Sequence, residues 1–329
     1  MKNTLYLSIL AAALMGGQVF AADPIPTSVE GYASSSGSSY YGVKKGAGEG
    51  DASGGNVTVS ASATGSDLSG ASVYGGFSSL GGASDNIVTM TGGQVGSLTG
   101  GNGHTSASGN IAIVAGDSVV SSTLAGGFIL LGGDAANDNK IYLVGKGATA
   151  IIADAQGNTA TYTGGAISVC TVVGGRGPVS VGNSIDIYGT GITASGMVAN
   201  MQILNFHIAG ALAVADDPMF TSTYASSLNL TGVTLGFCSD DVQDWSAFDG
   251  KSITLVDAAK AITVGEGSLG DVAIKGADGA TVATATLGLE NENKSLVLSN
   301  IKGTAPVPEP TTGTLSLLAL AGLCMRRRK

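Results

Sequence analysis

Residues 74–86 read YGGFSSLGGASDN, and residues 125–139 repeat the same order as AGGFILLGGDAANDN. Both stretches contain two Gly-Gly pairs and end on an asparagine that a short run of β-forming residues follows. A degenerate third copy runs from Gly164 through the pair at 174–175 to Asn183. Repeated units of about 20–50 residues are typical of stacked architectures, in which neighbouring units share one core.

The asparagines also define a shorter repeat. Alternating apolar and small polar residues, a strand pattern, follow Asn56, Asn86, Asn110, Asn139 and Asn183, at spacings of 30, 24, 29 and 44 residues. Gly-Gly pairs and Asn tolerate left-handed backbone conformations, so we expect them at tight corners between strands. An asparagine that recurs at one corner is expected to stack as a hydrogen-bonded ladder, as amide side chains do in cross-β structures.

The pattern predicts an all-β chain folded as a parallel β-helix or similar solenoid with irregular coils, followed by a C-terminal β-rich cap and a terminal hydrophobic helix. Only Pro178 and Pro218 interrupt residues 27–305, which favours long hydrogen-bonded ladders. In composition this region resembles the β-helical passengers of autotransporter-type surface proteins. An antiparallel β-sandwich is the alternative.

Composition narrows the class of protein. The chain has 329 residues, of which 53 are Gly; 43% are hydrophobic and 12% are charged. So little charge excludes an ordinary disordered chain, and the absence of a Gly repeat every third residue excludes collagen. Three cysteines exclude a disulfide scaffold. Cys170 and Cys238 either pair in an oxidising compartment or remain two buried thiols.

The N-terminal segment has the three parts of a secretory signal peptide. Lys2 supplies a positive start, residues 5–15 are apolar, and Val19 and Ala21 form a small-x-small cleavage pattern. We therefore predict a signal peptide over residues 1–22, removed by signal peptidase.

The C-terminal segment also has three parts in order. A proline-rich motif, an apolar run and a basic tail follow one another: Pro308, Glu309 and Pro310, then residues 314–325, then Arg326, Arg327, Arg328 and Lys329. The apolar run favours a short transmembrane helix, although about 20 residues cross a bilayer comfortably. The four cations favour a cytoplasmic end, which places the rest of the chain outside the cytoplasm.

This arrangement resembles the PEP-CTERM sorting signal of Gram-negative bacteria. The resemblance implies that an exosortase processes the chain, with residues 308–310 as the recognition motif and residues 326–329 as the stop-transfer signal. It also implies transient anchoring in the inner membrane through the C-terminal segment, and association with extracellular polysaccharide.

The predicted organisation has five parts. They are the signal peptide 1–22, a Gly/Ser-rich leader 23–55, a repeat-containing β region 56–227, a C-terminal β region or cap 228–305, and the sorting signal 306–329.

The net charge and the few reactive side chains limit the functions that this chain can have. Between residues 22 and 310, ten cations face 24 acidic residues, a net charge of −14, which argues against nucleic-acid binding. His104 and His207 lie outside any catalytic motif, so we predict no catalytic residue, no metal ligand and no cofactor. Calcium binding at residues 133–139 or 240–244 is a secondary hypothesis.

The sequence thus predicts an exported, non-enzymatic structural or adhesive protein of the cell surface or extracellular matrix. The alternative is an extracellular carbohydrate-active enzyme on a β-helix, with the two aspartates at 216–217 or the three within 240–244 as the source of its carboxylates.

Overall fold

A computed structural model of the protein describes residues 25–304, apart from residues 131, 132, 134, 155, 240, 241, 243 and 244. The predicted signal peptide, sorting motif and terminal hydrophobic helix lie outside the described residues. The prediction of an all-β chain is confirmed for the described part, which contains strands and two short 3-10 helices, Gly210–Val214 and Trp245–Phe248.

The strands range from two residues in β4 to 18 residues in β15. The first twelve are β1 (Thr27–Glu30), β2 (Ser34–Ser36), β3 (Ser39–Lys45), β4 (Ala52–Ser53), β5 (Asn56–Ala61), β6 (Ser72–Ser78), β7 (Ala83–Ser84), β8 (Ile87–Met90), β9 (Gly93–Gly103), β10 (Ala107–Ser108), β11 (Ile111–Val114) and β12 (Gly116–Ile129). The remainder are β13 (Lys140–Val144), β14 (Thr149–Ala153), β15 (Thr159–Arg176), β16 (Ser184–Tyr188), β17 (Ile192–Ala194), β18 (Val198–Ala199), β19 (Ile203–His207), β20 (Phe220–Ser222), β21 (Leu228–Leu230), β22 (Thr234–Ser239), β23 (Ile253–Ala258), β24 (Ile262–Val264), β25 (Gly270–Gly276), β26 (Thr281–Glu290) and β27 (Ser295–Gly303).

Among the described residues, 22 strands join one mixed sheet that contains two long parallel ladders. The first ladder stacks β5, β8, β11, β13, β16, β19 and β22. The second stacks β3, β6, β9, β12, β15, β17, β20 and β23. A short third ladder stacks β4, β7 and β10. Parallel stacking of this kind does not fit the antiparallel β-sandwich considered as the alternative.

The chain visits the three ladders in turn, as β5, β6 and β7 and then as β8, β9 and β10. Alternation along each strand sends every second side chain into a common core. Val57 and Val59 on β5 and Ile141 and Leu143 on β13 are fully buried there. Apolar residues of the second ladder, such as Leu98, complete the same cluster.

The expected asparagine ladder is present at Asn86, Asn110, Asn139 and Asn183, all fully buried. Each of the first three side chains donates from Nδ2 to Oδ1 of the next asparagine, at 2.9, 3.0 and 2.9 Å. Each also donates to a main-chain carbonyl of the third ladder or its continuation, as Asn110 does to Ala83 at 2.9 Å. The stack thereby satisfies polar groups that would otherwise be costly to bury.

Asn56 does not belong to this ladder. The register pairs Asn56 with Ile87, so Gly55 takes the ladder position and donates its N–H to Oδ1 of Asn86 at 2.9 Å. At the other end Gln202 takes the place of an asparagine and accepts from the N–H of Asn183 at 3.0 Å.

The Gly-Gly pairs were expected at left-handed corners, but the structure shows a different role for them. Gly76, Gly101, Gly127 and Gly175 lie within strands and do not have positive φ. A Cβ atom on them would lie 2.3, 2.3, 2.5 and 2.7 Å from the side chain of a ladder asparagine. These glycines are therefore needed for close packing against the asparagines. Gly175 pairs with Gly127, so the pair at 174–175 corresponds to the first Gly-Gly pair of the longer repeat.

At each corner, the residue with a left-handed backbone conformation is instead the one that precedes the ladder asparagine. Asp85, Gly109, Asp138 and Gly182 have φ of 55°, 67°, 55° and 69°. Glycine and aspartate are among the residue types that adopt this conformation most readily.

Residues 27–53, which fall in the predicted leader, contain four strands. β3 pairs in parallel with β6, and β2 pairs with β3 in an antiparallel hairpin. Aromatic side chains fix this serine-rich segment to the sheet, because Tyr41 is only 7% exposed and packs on Tyr74.

Antiparallel strands lie at both ends of the described chain and in one insertion. β1 pairs antiparallel with β5, and β25, β26 and β27 form an antiparallel run that connects the last strands of both long ladders, β22 and β23. The insertion is the hairpin of β14 with the first residues of β15.

Candidate functional site

The β14–β15 hairpin covers part of the outer face of the first ladder. Its buried residues Ala150 and Ile152 pack in one cluster with Ile111 and Ile113 of β11. Tyr142 and Tyr188, on β13 and β16, pack against the same cluster. The hairpin therefore buries outward-facing residues that a bare sheet would leave in water.

Beside this hairpin, two neighbouring strands bring together a carboxylate and an imidazole. The core takes Ile185 and Ile187 from β16 and Phe206 from β19. Alternation therefore directs Asp186 and His207 to the outer face. Parallel register then places Asp186 next to Asn205, and Tyr188 next to His207.

Hydrogen bonds hold the Asp186 side chain, which is only 8% exposed. Asn205 Nδ2 donates to Oδ1 at 2.9 Å, and Ser184 Oγ donates to Oδ2 at 3.1 Å. His207 Nε2 lies 3.3 Å from the same Oδ1 atom. The Tyr188 ring stacks on the imidazole with centroids 3.7 Å apart and planes inclined by 17°. The imidazole is thus fixed on one edge and one face.

A groove of about 280 Å³ opens next to this pair. Tyr188, His207, Ile208 and Thr149 line it, so its wall combines a ring, an imidazole and a hydroxyl. A histidine held by a buried carboxylate is suited to proton transfer, provided that a reacting group can approach it. The geometry therefore supports binding of a small polar group and permits acid–base chemistry.

In the sequence, His207 lies outside any catalytic motif, and no pattern singles out Asp186. The alternating patterns of residues 184–188 and 203–207 put both on outward positions. Their adjacency depends on the register of β16 against β19, which no local pattern specifies.

Burial, and to a smaller extent the nearby Asp186 carboxylate, together raise the pKa of the Tyr142 phenol to about 12. The unfolded chain therefore loses this proton near pH 10, whereas the folded chain retains it until about pH 12. The stabilising effect is complete below pH 10 and is lost as the pH rises to about 12. We expect the free energy of unfolding to fall across this window, and to fall less in Tyr142→Phe.

Urea unfolding at a series of pH values measures this difference. Tyr32→Phe, at an exposed tyrosine, is the matched control and should follow the wild type. Equal slopes of the free energy of unfolding against pH, in wild type and in Tyr142→Phe, would contradict a raised pKa at Tyr142.

The other predicted site residues are scattered or lie beyond the described part. Residues 308–310 and 326–329 lie outside it, as do Asp134, Asp240, Asp241 and Asp244. His104 lies in the segment between β9 and β10, and residues 216–217 are exposed. Within the described ranges, no three His, Cys, Asp or Glu side chains cluster closely enough to hold a metal ion.

Cys170 and Cys238 lie on β15 and β22 as half-buried thiols. They therefore belong to different ladders, and because both are only half-buried, the expectation of two buried thiols is not met.

Comparison of the chain with protein-family models, with curated proteins and with solved structures gave no match. No helix in the described part is long and apolar enough to cross a membrane.

Proposed function

We propose that this chain is an exported structural or adhesive protein of the cell surface or extracellular matrix, built as a parallel β-helix. The observation that carries the proposal is the buried stack of Asn86, Asn110, Asn139 and Asn183, which ties four successive turns of chain together. A stack of this kind favours a stiff, repetitive body suited to display and contact.

The ends of the ladders support the same proposal. An exposed edge of parallel strands invites pairing with other chains. β1 at one end, and the antiparallel strands β25–β27 at the other, pair with the terminal strands and thus serve as caps. The buried Trp245 packs against Phe248 in the same C-terminal region, with ring centroids 5.4 Å apart.

Export and sorting rest on the terminal segments of the sequence. Signal peptidase removes residues 1–22, and an exosortase recognises Pro308, Glu309 and Pro310. The C-terminal segment anchors the chain in the inner membrane only until processing.

We expect the mature protein from fractionated cells to end at or near residues 308–310, without the basic tail. Intact-mass spectrometry of the exported protein measures this end. In Glu309→Gln the tail should remain, whereas Glu266→Gln, at an exposed acidic residue of the body, should be processed normally. Exported wild-type protein that still ends at Lys329 would contradict sorting cleavage.

An extracellular carbohydrate-active enzyme is the second candidate, because Asp186 holds His207 beside a groove. A panel of polysaccharide substrates separates the two functions. Turnover that disappears in His207→Ala would favour the enzyme, and absence of turnover favours the structural role.

A further inference from the structure

A strip of aromatic and cationic side chains runs across the second ladder on its outer side. Register places Lys44, Phe77, Asn102, Phe128 and Arg176 in one column, one residue from each of β3, β6, β9, β12 and β15. A neighbouring column begins with Tyr41 and Tyr74. We call these seven residues the aromatic strip.

The rings of the strip touch at its β3 end. Tyr41 and Tyr74 stack with centroids 5.3 Å apart and planes inclined by 9°. Phe77 meets both rings edge-on, at 5.3 and 5.8 Å. Tyr74, Phe77 and Phe128 are half-buried, so part of each ring remains open to solvent.

A cation stands at each end of the column. Lys44 Nζ lies 4.6 Å from the centre of the Tyr41 ring, and the Arg176 guanidinium lies 4.9 Å from the centre of the Phe128 ring. Both cations are exposed. Since adjacent strands lie about 4.8 Å apart, four steps separate them by roughly 19 Å.

Asn102 in the middle of the column has an unused acceptor. The residue is 5% exposed, and its Oδ1 atom has no hydrogen-bond partner among the described residues. A buried polar atom without a partner is uncommon and requires an explanation. Its neighbours in the column are Phe77 and Phe128, so this acceptor lies between two of the aromatic residues of the strip.

We propose that the aromatic strip binds an extended polysaccharide that carries carboxylate groups. The C–H faces of sugar rings pack on the aromatic rings, a hydroxyl donates to Asn102, and Lys44 and Arg176 pair with carboxylates. This inference rests on the proposed surface function and names the class of ligand that the surface contacts.

The charge distribution favours this ligand over a nucleic acid. Arg176 is the only arginine between residues 22 and 310, and that part carries a net charge of −14. Single-stranded nucleic acids also stack on aromatic rings, but they carry a phosphate at every nucleotide. Two cations match a polymer with sparser or partly neutral charge better than they match a continuous row of phosphates.

Binding to hyaluronan, a polymer with a carboxylate on every second sugar, tests the proposal by calorimetry on the exported protein. We expect the Lys44→Gln/Arg176→Gln variant to bind about tenfold more weakly and with a smaller dependence on salt. The matched control is Lys140→Gln/Lys260→Gln, which removes two exposed cations elsewhere and should bind as the wild type does.

Phe128→Leu tests the ring contact separately, because leucine keeps an apolar side chain of similar size at this position. It should weaken binding of hyaluronan at high salt, where the cations contribute least. Neutral dextran should bind more weakly than hyaluronan to the wild type.

Three results would overturn the inference. They are wild-type affinity in Lys44→Gln/Arg176→Gln, no binding of hyaluronan, or tighter binding of the single-stranded oligonucleotide dT20. The end of the mature chain is measured independently, so failure of glycan binding would leave the proposal of a sorted surface protein standing.

Discussion

Asn110→Ala is expected to lower the free energy of unfolding by about 3–5 kcal/mol, because two or more buried groups lose their partners at about 1–3 kcal/mol each. Oδ1 of Asn110 accepts from the main-chain N–H of Asn86 at 3.1 Å and from its side-chain amide at 2.9 Å. Alanine leaves that main-chain N–H without a partner and removes the donor to Ala83. Urea unfolding followed by circular dichroism measures the loss.

Asn229→Ala is the matched control. Asn229 also lies in a strand and accepts two hydrogen bonds, from Thr231 N–H and Thr263 Oγ1, but it is exposed. Water replaces those partners, so the free energy of unfolding should change by less than about 1 kcal/mol. Equal unfolding midpoints for Asn110→Ala and Asn229→Ala would show that the stack does not stabilise the fold.

Gly101→Ala is expected to destabilise the protein by about 3 kcal/mol or more, through overpacking of the core. The new Cβ atom would lie 2.3 Å from Oδ1 of Asn110. Hydrogen bonds on both sides hold that amide, so it cannot move away without breaking the stack. The same urea experiment measures the change.

Gly288→Ala provides the comparison, because Gly288 also lies within a strand and has no atom within 4 Å of an added Cβ. It should leave stability unchanged or raise it slightly, since alanine reduces the freedom of the unfolded chain. Similar losses in Gly101→Ala and Gly288→Ala would mean that the contact with the asparagine is not the cause.

The double variant Gly101→Ala/Asn110→Gly tests the pairing itself. The protein already contains one such pair with the larger and smaller residues exchanged. Val43 takes the position equivalent to Gly76, and it lies against Gly55, which takes the position of a ladder asparagine. We therefore expect the double variant to lose less stability than the sum of its two single changes. Simple additivity would contradict a coupled pair.

Much of the fold follows from local pattern. The asparagines at 86, 110, 139 and 183 mark the starts of strands, and the alternation after them is that of strands with one buried face. The amide stack itself was predictable, because a repeated polar residue beside buried strands needs a repeated partner. The two terminal segments remain predictions from sequence.

Other features depend on which strands lie next to each other. Asn56 has the same local pattern as the ladder asparagines, yet it stands one residue out of register, and Gly55 occupies the ladder position. The strands within residues 27–53 likewise form because they pair with later strands, and the local sequence does not indicate them.

The sequence alone therefore determined the strand-forming repeat and its buried asparagines, because alternation and spacing are properties of neighbouring residues. Only the tertiary structure decided that Asp186 meets His207, and that Lys44, Phe77, Asn102, Phe128 and Arg176 share one column. The physical reason is that parallel strands are joined by long connections of variable length. Their register is set by packing and hydrogen bonds across the whole stack, and a shift by one residue would turn each side chain to the opposite face.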